Sequence, residues 1–222
     1  MSVNILGRGT FSTVHLVERA SDRRIFACKR FNQPFTFSQL VNVRELRAHS
    51  QIPAHPNILG PSGVLYDEPT QTLSILFPVM PMTLADWIGK QASPLTETHM
   101  KKLVHQLFSA LSHLHRQDII HRDIKPENIF LDSDRLYLGD LGSTASINST
   151  PLNPTGNLTE YIITRWYRPP ECLLFAGGYD DRVDTWGVGC ILYLMATRRH
   201  LFPGRSEINQ LVHIHRILGT PS

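Results

Sequence analysis

The octet His121-Arg122-Asp123-Ile124-Lys125-Pro126-Glu127-Asn128 decides how the rest of the chain is read. It sets a carboxylate, an ammonium group and an amide within six residues of one another. Asp123 can accept the proton of a hydroxyl or orient that hydroxyl, a role worth roughly 10²–10⁴-fold in rate. Asn128 supplies a neutral oxygen suited to Mg²⁺, a hard cation that prefers oxygen ligands. Lys125, two residues after Asp123, can neutralise charge on a transferred phosphoryl group. The whole octet is too specific for a chance turn.

Phosphoryl transfer needs further parts: a cradle for the triphosphate and a second metal ligand. Downstream, Asp140-Leu141-Gly142 supplies an aspartate able to bridge Mg²⁺ and phosphate oxygens. A DxG triplet is common in turns, and its distance from Asp123 and Asn128 is what gives it weight. Upstream, Gly7-Arg8-Gly9-Thr10-Phe11-Ser12-Thr13-Val14 offers glycines that let backbone N–H groups approach phosphate oxygens. Ser12 stands where a third glycine would complete the pattern, and a plain β-turn explains the stretch as well. Lys29, in Phe26-Ala27-Cys28-Lys29, follows mid-strand, where a lysine is ordinarily a solvated edge residue. Glu45, in Val43-Arg44-Glu45-Leu46, reads by itself as an ordinary solvated helix residue.

The organisation around these motifs agrees. Phe11 to Glu18 and Arg24 to Phe31 alternate like two antiparallel strands joined at Ser21-Asp22-Arg23. The mixed, charged stretch Phe37 to Ser50 predicts one helix. Val64 to Tyr66 and Leu73 to Phe77 read as strands, and the two prolines of residues 78–82 mark a hinge. Beyond it, Met100, Leu103, Val104, Leu107, Leu111 and Leu114 share one helix face. Ser143 to Asn157 is rich in Ser, Thr, Asn and Pro, which predicts a mobile surface loop. Trp186 to Ala196 reads as a buried core helix, too short to span a bilayer. Asp184, just before it, can simply be an N-cap.

Composition narrows the class. The chain has 222 residues, 41% of them hydrophobic, enough for a sizeable core in one domain or two packed lobes. Its net charge of +3 lacks the dense basic stripe of a nucleic-acid binder. Cys28, Cys172 and Cys190 are odd in number and widely spaced, so neither a disulfide framework nor a zinc site is expected. No signal peptide is seen at the N-terminus. The expected setting is intracellular, in the cytoplasm or nucleus, with neither nucleic acid nor membrane as partner.

From Leu6 to Ser222 these motifs, in this order, resemble the eukaryotic protein kinases. The lysine at Lys125 marks the Ser/Thr type of catalytic loop. Thr164-Arg165-Trp166-Tyr167-Arg168, Pro169-Pro170-Glu171 and Leu201-Phe202-Pro203-Gly204 are similar to the CMGC group of cyclin-dependent and MAP kinases. Thr159-Glu160-Tyr161 matches the T-E-Y activation motif of some MAP kinases and of the MAK/MOK-like (RCK) branch, which the chain resembles most. The resemblance implies an α+β bilobal fold, with a β-rich N-lobe over 1–80 and a helical C-lobe over 81–222. It implies ATP and Mg²⁺ as cofactors, with Asp123, Lys125, Lys29 and Glu45 catalytic, Lys29 on the α- and β-phosphates with Glu45 as its partner, Asn128 and Asp140 on the metal, and Asp184 as an alternative to an N-cap that holds the catalytic-loop backbone. ATP would lie among Gly7, Gly9, Val14, Ala27, Lys29 and Phe130. Phe77 would be the gatekeeper, and the Pro78 carbonyl and Met80 N–H would meet the adenine edge.

The resemblance further implies protein substrates with Ser or Thr followed by proline, a preference that goes with Arg165. It leaves room for an upstream activating kinase and a cyclin-like partner. Phosphorylation of Thr159 and Tyr161 would add about −1.5 to −2 charge each. Arg44 and Arg122 would receive the first, Arg165 and Arg168 the second. Ala145 stands where a third basic residue is often found. His49 occupies a place, one turn after Glu45, where an apolar residue is usual. Kinase domains of this group continue past the equivalent of Ser222, so the expectation is a truncated C-lobe that leaves Glu171 unpartnered and apolar surface of the 186–196 helix exposed. Two rival readings remain: a pseudokinase or scaffold, and a small-molecule phosphotransferase of the same fold.

Overall fold

The computed structural model describes residues 4–146, 165–174 and 180–220. The chain begins with strands β1 (Ile5–Arg8), β2 (Ser12–Glu18) and β3 (Ile25–Phe31). The β2–β3 hairpin runs in unbroken register from Ser12 opposite Phe31 to Glu18 opposite Ile25. Strands β4 (Gly63–Asp67) and β5 (Thr72–Pro78) complete an antiparallel sheet in the order β1-β2-β3-β5-β4. Strand β5, between β3 and β4, is its most buried strand, with Leu73 and Ile75 fully enclosed. That is why it reads as a near-continuous apolar run rather than an alternating one.

The helix expected over Phe37 to Ser50 is broken. Phe37–Asn42 winds as a 3₁₀ segment, and helix α1 covers only Arg44–Gln51. Val43 between them is extended, at φ −69° and ψ 113°. The physical reason is burial. Phe37 and Val41 remain 75% and 72% exposed, so the first half has no apolar face to stabilise an α-helix. Val43 is buried only by leaving the helical path.

Beyond the hinge come β6 (Met82–Thr83), α2 (Leu84–Lys90), α3 (Glu97–His115), β7 (Ile119–Ile120), β8 (Ile129–Asp132), β9 (Arg135–Leu138) and β10 (Ala145–Ser146). Helices α4 (Pro170–Leu174), α5 (Arg182–Thr197) and α6 (Glu207–Leu218) follow. The face predicted for α3 is the buried one: Leu103, Leu107, Leu111 and Leu114 are enclosed together with Ala110, and Met100 and Val104 pack at its margin. They join Val188, Ile191, Leu194 and Met195 of α5 in one core. Burial of each such side chain stabilises the fold by about 1.5–3 kcal/mol. The fold is thus a β-sheet lobe followed by a helical lobe.

Two expectations need correction. Residues 143–146, assigned to a mobile loop, form the end of a 3₁₀ turn and strand β10, which pairs Ala145 with Ile120. The rest of that stretch lies outside the described residues. Glu171 is exposed to solvent, so it carries none of the desolvation cost of a buried, unpartnered carboxylate. The outer face of α5 does expose apolar side chains, with Leu192 at 42% and Tyr193 at 38%. Among the described residues no helix is long and apolar enough to cross a membrane.

Candidate active site

Between the lobes, three groups far apart in sequence meet. Lys29 Nζ lies 2.7 Å from Glu45 Oε2 and 2.7 Å from Asp140 Oδ1. Strand β3 carries the lysine, α1 the glutamate, and the 3₁₀ turn after β9 the aspartate. Glu45 is 1% exposed, and its burial raises its pKa despite the neighbouring ammonium. Burial alone would lower the Lys29 pKa, but the two carboxylates outweigh it and hold the lysine charged. Burial would likewise raise that of Asp140, but the Lys29 charge and hydrogen bond bring it below the usual carboxylate range. Gly142 makes room for this group: a Cβ there would sit 3.2 Å from Asp140 Oδ1 and 3.6 Å from Glu45 Oε2. Asp140 itself adopts the left-handed region, with φ 58°.

The octet forms the opposite wall. Asp123 Oδ2 accepts hydrogen bonds from Lys125 Nζ at 2.7 Å and Asn128 Nδ2 at 2.9 Å. Asp123 Oδ1 is buried and receives no hydrogen bond. Asn128 Nδ2 also donates to the Asp123 carbonyl, at 2.8 Å, which leaves the amide oxygen as the end suited to a cation. Leu141 is fully buried and fills the apolar position after Asp140.

Asp184 settles the backbone of this wall. It is not an N-cap; Asp181 holds that position on α5. Its carboxylate accepts N–H bonds from His121 at 2.9 Å and Arg122 at 2.8 Å, and from His115 Nε2 at 2.8 Å. Arg122 has φ 67°, a conformation costly for a bulky residue and kept only where its surroundings over-determine it. His121, wholly buried, donates from Nε2 to the Gly139 carbonyl and accepts the Asp123 N–H at Nδ1. The octet is thereby tied to the strand leading to Asp140. Sequence reasoning gave no role to His115 or His121. The signal available was two histidines six positions apart, ahead of an aspartate that opens an apolar helix.

The nucleotide-binding candidates assemble around one apolar cluster. Ala27, Met80 and Phe130 pack against Leu59, Ile75 and Phe77. Pro78 ends β5, opposite Phe26. Val14 pairs with Gly7 on one side and Lys29 on the other. The loop between β1 and β2 is a hairpin closed by Gly9 N–H donating to the Ser12 carbonyl at 2.8 Å. Asn32 Nδ2 braces it by donating to the Gly9 and Thr10 carbonyls.

Of the residues expected to receive phosphates, Arg44 is exposed at the start of α1. Arg122 donates from Nε to the Ser143 carbonyl at 2.6 Å. Arg165 is 7% exposed. Arg122 and Arg168 both act electrostatically on the Cys172 thiol, which burial pushes up to about 11. Thr159 and Tyr161 lie outside the described residues.

A family profile described as the protein kinase domain matches residues 1–221. The chain belongs to the protein kinase family. This kinase chain is 40% identical over 222 residues to the human MAPK/MAK/MRK overlapping kinase, covering 100% of the chain and 52% of that protein. It is 36% identical over 225 residues to Mitogen-activated protein kinase 15 of Caenorhabditis elegans, covering 98% and 47%. It is 35% identical over 217 residues to Cyclin-dependent kinase-like 1 of the same organism, covering 96% and 59%. These relatives place it in the CMGC group. The kinase chain spans about half the length of the curated relatives it matches.

Proposed function

We propose that this chain transfers the γ-phosphoryl group of ATP to Ser or Thr hydroxyls of proteins. The observation that carries the reading is Asp123. One carboxylate oxygen is pinned by Lys125 and Asn128, and the other is buried with no hydrogen bond. A buried acceptor without a donor is costly unless a ligand supplies one. A substrate hydroxyl would do so, donating its proton to Oδ1 as its oxygen bonds to the γ-phosphorus and ADP departs. Lys125 is placed to turn from Asp123 to the phosphoryl oxygens.

Lys29 would hold the α- and β-phosphates, with Glu45 fixing its direction. Asn128 and Asp140 would hold Mg²⁺, completed by phosphate oxygens, which suits a cation that takes few protein ligands. Bound there, Mg²⁺ neutralises charge on the phosphates. The donor set fits: two oxygen-bearing side chains on neighbouring segments, joined where the Gly139 N–H donates to the Asn128 carbonyl at 2.9 Å. The adenine would lie among Val14, Ala27, Phe77, Met80 and Phe130, against the backbone of Pro78 and Met80.

Three finer readings follow. Substrates would carry proline after the acceptor, with Arg165 behind the segment that receives them. Phosphorylation by an activating kinase would give Arg44 and Arg122 a phosphate on Thr159 to receive, and Arg165 and Arg168 one on Tyr161. The three free cysteines support an intracellular setting.

The test is Mg²⁺-dependent transfer from labelled ATP to a protein rich in Ser-Pro and Thr-Pro, with Asp140→Ala as control. Transfer that the substitution abolishes upholds the reading. Nucleotide binding without transfer would favour a scaffold, and modification of small hydroxyl compounds alone a different phosphotransferase. Mass spectrometry of active protein that finds Thr159 and Tyr161 bare would sink the activation reading.

A further inference from the structure

Tyr167 is 6% exposed and belongs to the core cluster of the helical lobe, yet it carries a phenolic OH. A buried phenol needs a hydrogen-bond partner. The partner is His200 Nδ1, 3.0 Å away. The same imidazole lies against Trp166, with ring centroids 4.5 Å apart. His200 is itself exposed, so burial of its own does not explain the position. It lies early in the connection between α5 and α6, which is pinned at further points. Phe202 is 1% exposed and stacks on Trp186, with centroids 5.5 Å apart. The Gly204 N–H donates to the buried Gln210 Oε1 at 2.9 Å. Gly204 also accepts Trp166 Nε1–H at 2.9 Å. One fixed connection therefore grips Trp166 and Tyr167 at both its ends. Glu127 of the catalytic loop is the charged neighbour of the pair, acting on both Tyr167 and His200.

We infer that His200 is a positioning residue for the substrate-receiving segment: its bond to Tyr167 and its contact with Trp166 hold residues 165–168 in register with the catalytic loop. The inference rests on the kinase reading, in which this segment receives the protein substrate. His200 touches neither ATP nor the reacting atoms. Its effect is on where the acceptor peptide sits, and misplacement at that scale is costly to transfer. Tyr167 keeps its proton because burial and the nearby Glu127 carboxylate raise its pKa, so it can donate to the His200 tautomer whose Nδ1 is free to accept.

The experiment compares the whole chain with His200→Ala, His200→Asn and Tyr167→Phe. Loss of one buried hydrogen bond predicts that His200→Ala raises the KM for a Ser/Thr-containing peptide about fivefold to tenfold, with the KM for ATP unchanged. His200→Asn presents an acceptor oxygen where Nδ1 stood and should restore most of the peptide KM. Tyr167→Phe added to His200→Ala should raise the peptide KM no further, because the bond is already lost and the unpaired hydroxyl is removed. Amide hydrogen exchange supplies a readout independent of activity. His200→Ala should speed exchange at residues 166–168, and His200→Asn should not. Equal exchange in the parent chain and His200→Ala would overturn the inference, as would a rise in KM shared equally by ATP. Faster exchange at 166–168 in a chain that transfers no phosphate would leave His200 as the holder of the segment and remove the kinase reading instead.

Discussion

Asp123 and Lys29 are both charged and both enclosed, with side chains 11% and 15% exposed, yet they are held by different means. The loop of Asp123 is tied down within its own lobe. Asp184 takes two of its backbone N–H groups, and His121 bridges it to Gly139. Helix α5 presses on it so closely that a Cβ on Gly187 would come within 2.7 Å of Ile124. Lys29 has no such scaffold. It is aimed by Glu45 on a helix of eight residues and by Asp140 on the other lobe. Fixed dipoles and close packing hold one wall whatever the state of the other. The second wall is held by charge attraction between separate elements, so anything that shifts α1 releases it.

The largest effect should come from the rigid wall itself. Asp123→Asn keeps the size of the side chain but removes the acceptor of the hydroxyl proton, and transfer should fall about 10²–10⁴-fold. ATP affinity should stay near the parent value, which nucleotide titration would check. Should transfer survive, Asp123 is not the acceptor, and the contrast between the walls loses its chemical meaning.

Next comes the scaffold under that wall. Asp184→Ala strands the N–H groups of His121 and Arg122 and the imidazole of His115, and should cost about 3–5 kcal/mol of stability. Chemical denaturation would measure it. A loss below about 1 kcal/mol, the worth of an ordinary hydrogen bond, would show that the octet holds its shape without α5.

The conditional wall should respond differently. Glu45→Gln leaves Lys29 with Asp140 alone and should reduce kcat/KM about a hundredfold, the scale of a misplaced binding group. Its denaturation midpoint should move less than that of Asp184→Ala, because Lys29 keeps Asp140 as a partner and is not left an unpaired buried charge. A large loss of stability with intact kcat/KM would reverse the comparison.

The smallest effect concerns pH. His49, in the last turn of α1, lies against Phe77 with ring centroids 5.7 Å apart, and its Nε2 is buried without a partner. Burial, then the Lys29 charge, lowers its pKa to about 4, below the ordinary value of 6.5. A depressed pKa means the unfolded chain binds the proton first, so stability is lost as pH falls from about 6.5 towards 4. His49→Leu should flatten that part of the pH–stability curve. An unchanged curve would remove His49 as a weak point of the conditional wall.

Much of this site was legible because its chemistry is local in sequence. Asp123, Lys125 and Asn128 fall within six residues, and their roles follow from residue type and spacing. Strands β2 and β3 were legible from alternation, which put Lys29 on a strand beside the glycine loop. The interruption at Val43 was not, because it depends on whether Phe37 and Val41 find anything to pack against. Nor was Asp184, which by sequence is as good an N-cap as a latch. Only the approach of α5 to the octet decides between them. His200 carries no sequence signal at all, since its partners Trp166 and Tyr167 lie 33 residues and more away.

The sequence by itself determined strands β2 and β3, the core face of α3, the buried character of the Trp186–Ala196 helix, and the identity of the groups able to move a phosphoryl group. Those follow from periodicity and functional-group chemistry, which act over a few residues. Tertiary structure alone decided which groups became partners: Lys29 with Asp140, Asp184 with His121 and Arg122, Tyr167 with His200. Hydrogen bonds and ion pairs act over about 3 Å, and only the packed fold brings distant residues that close.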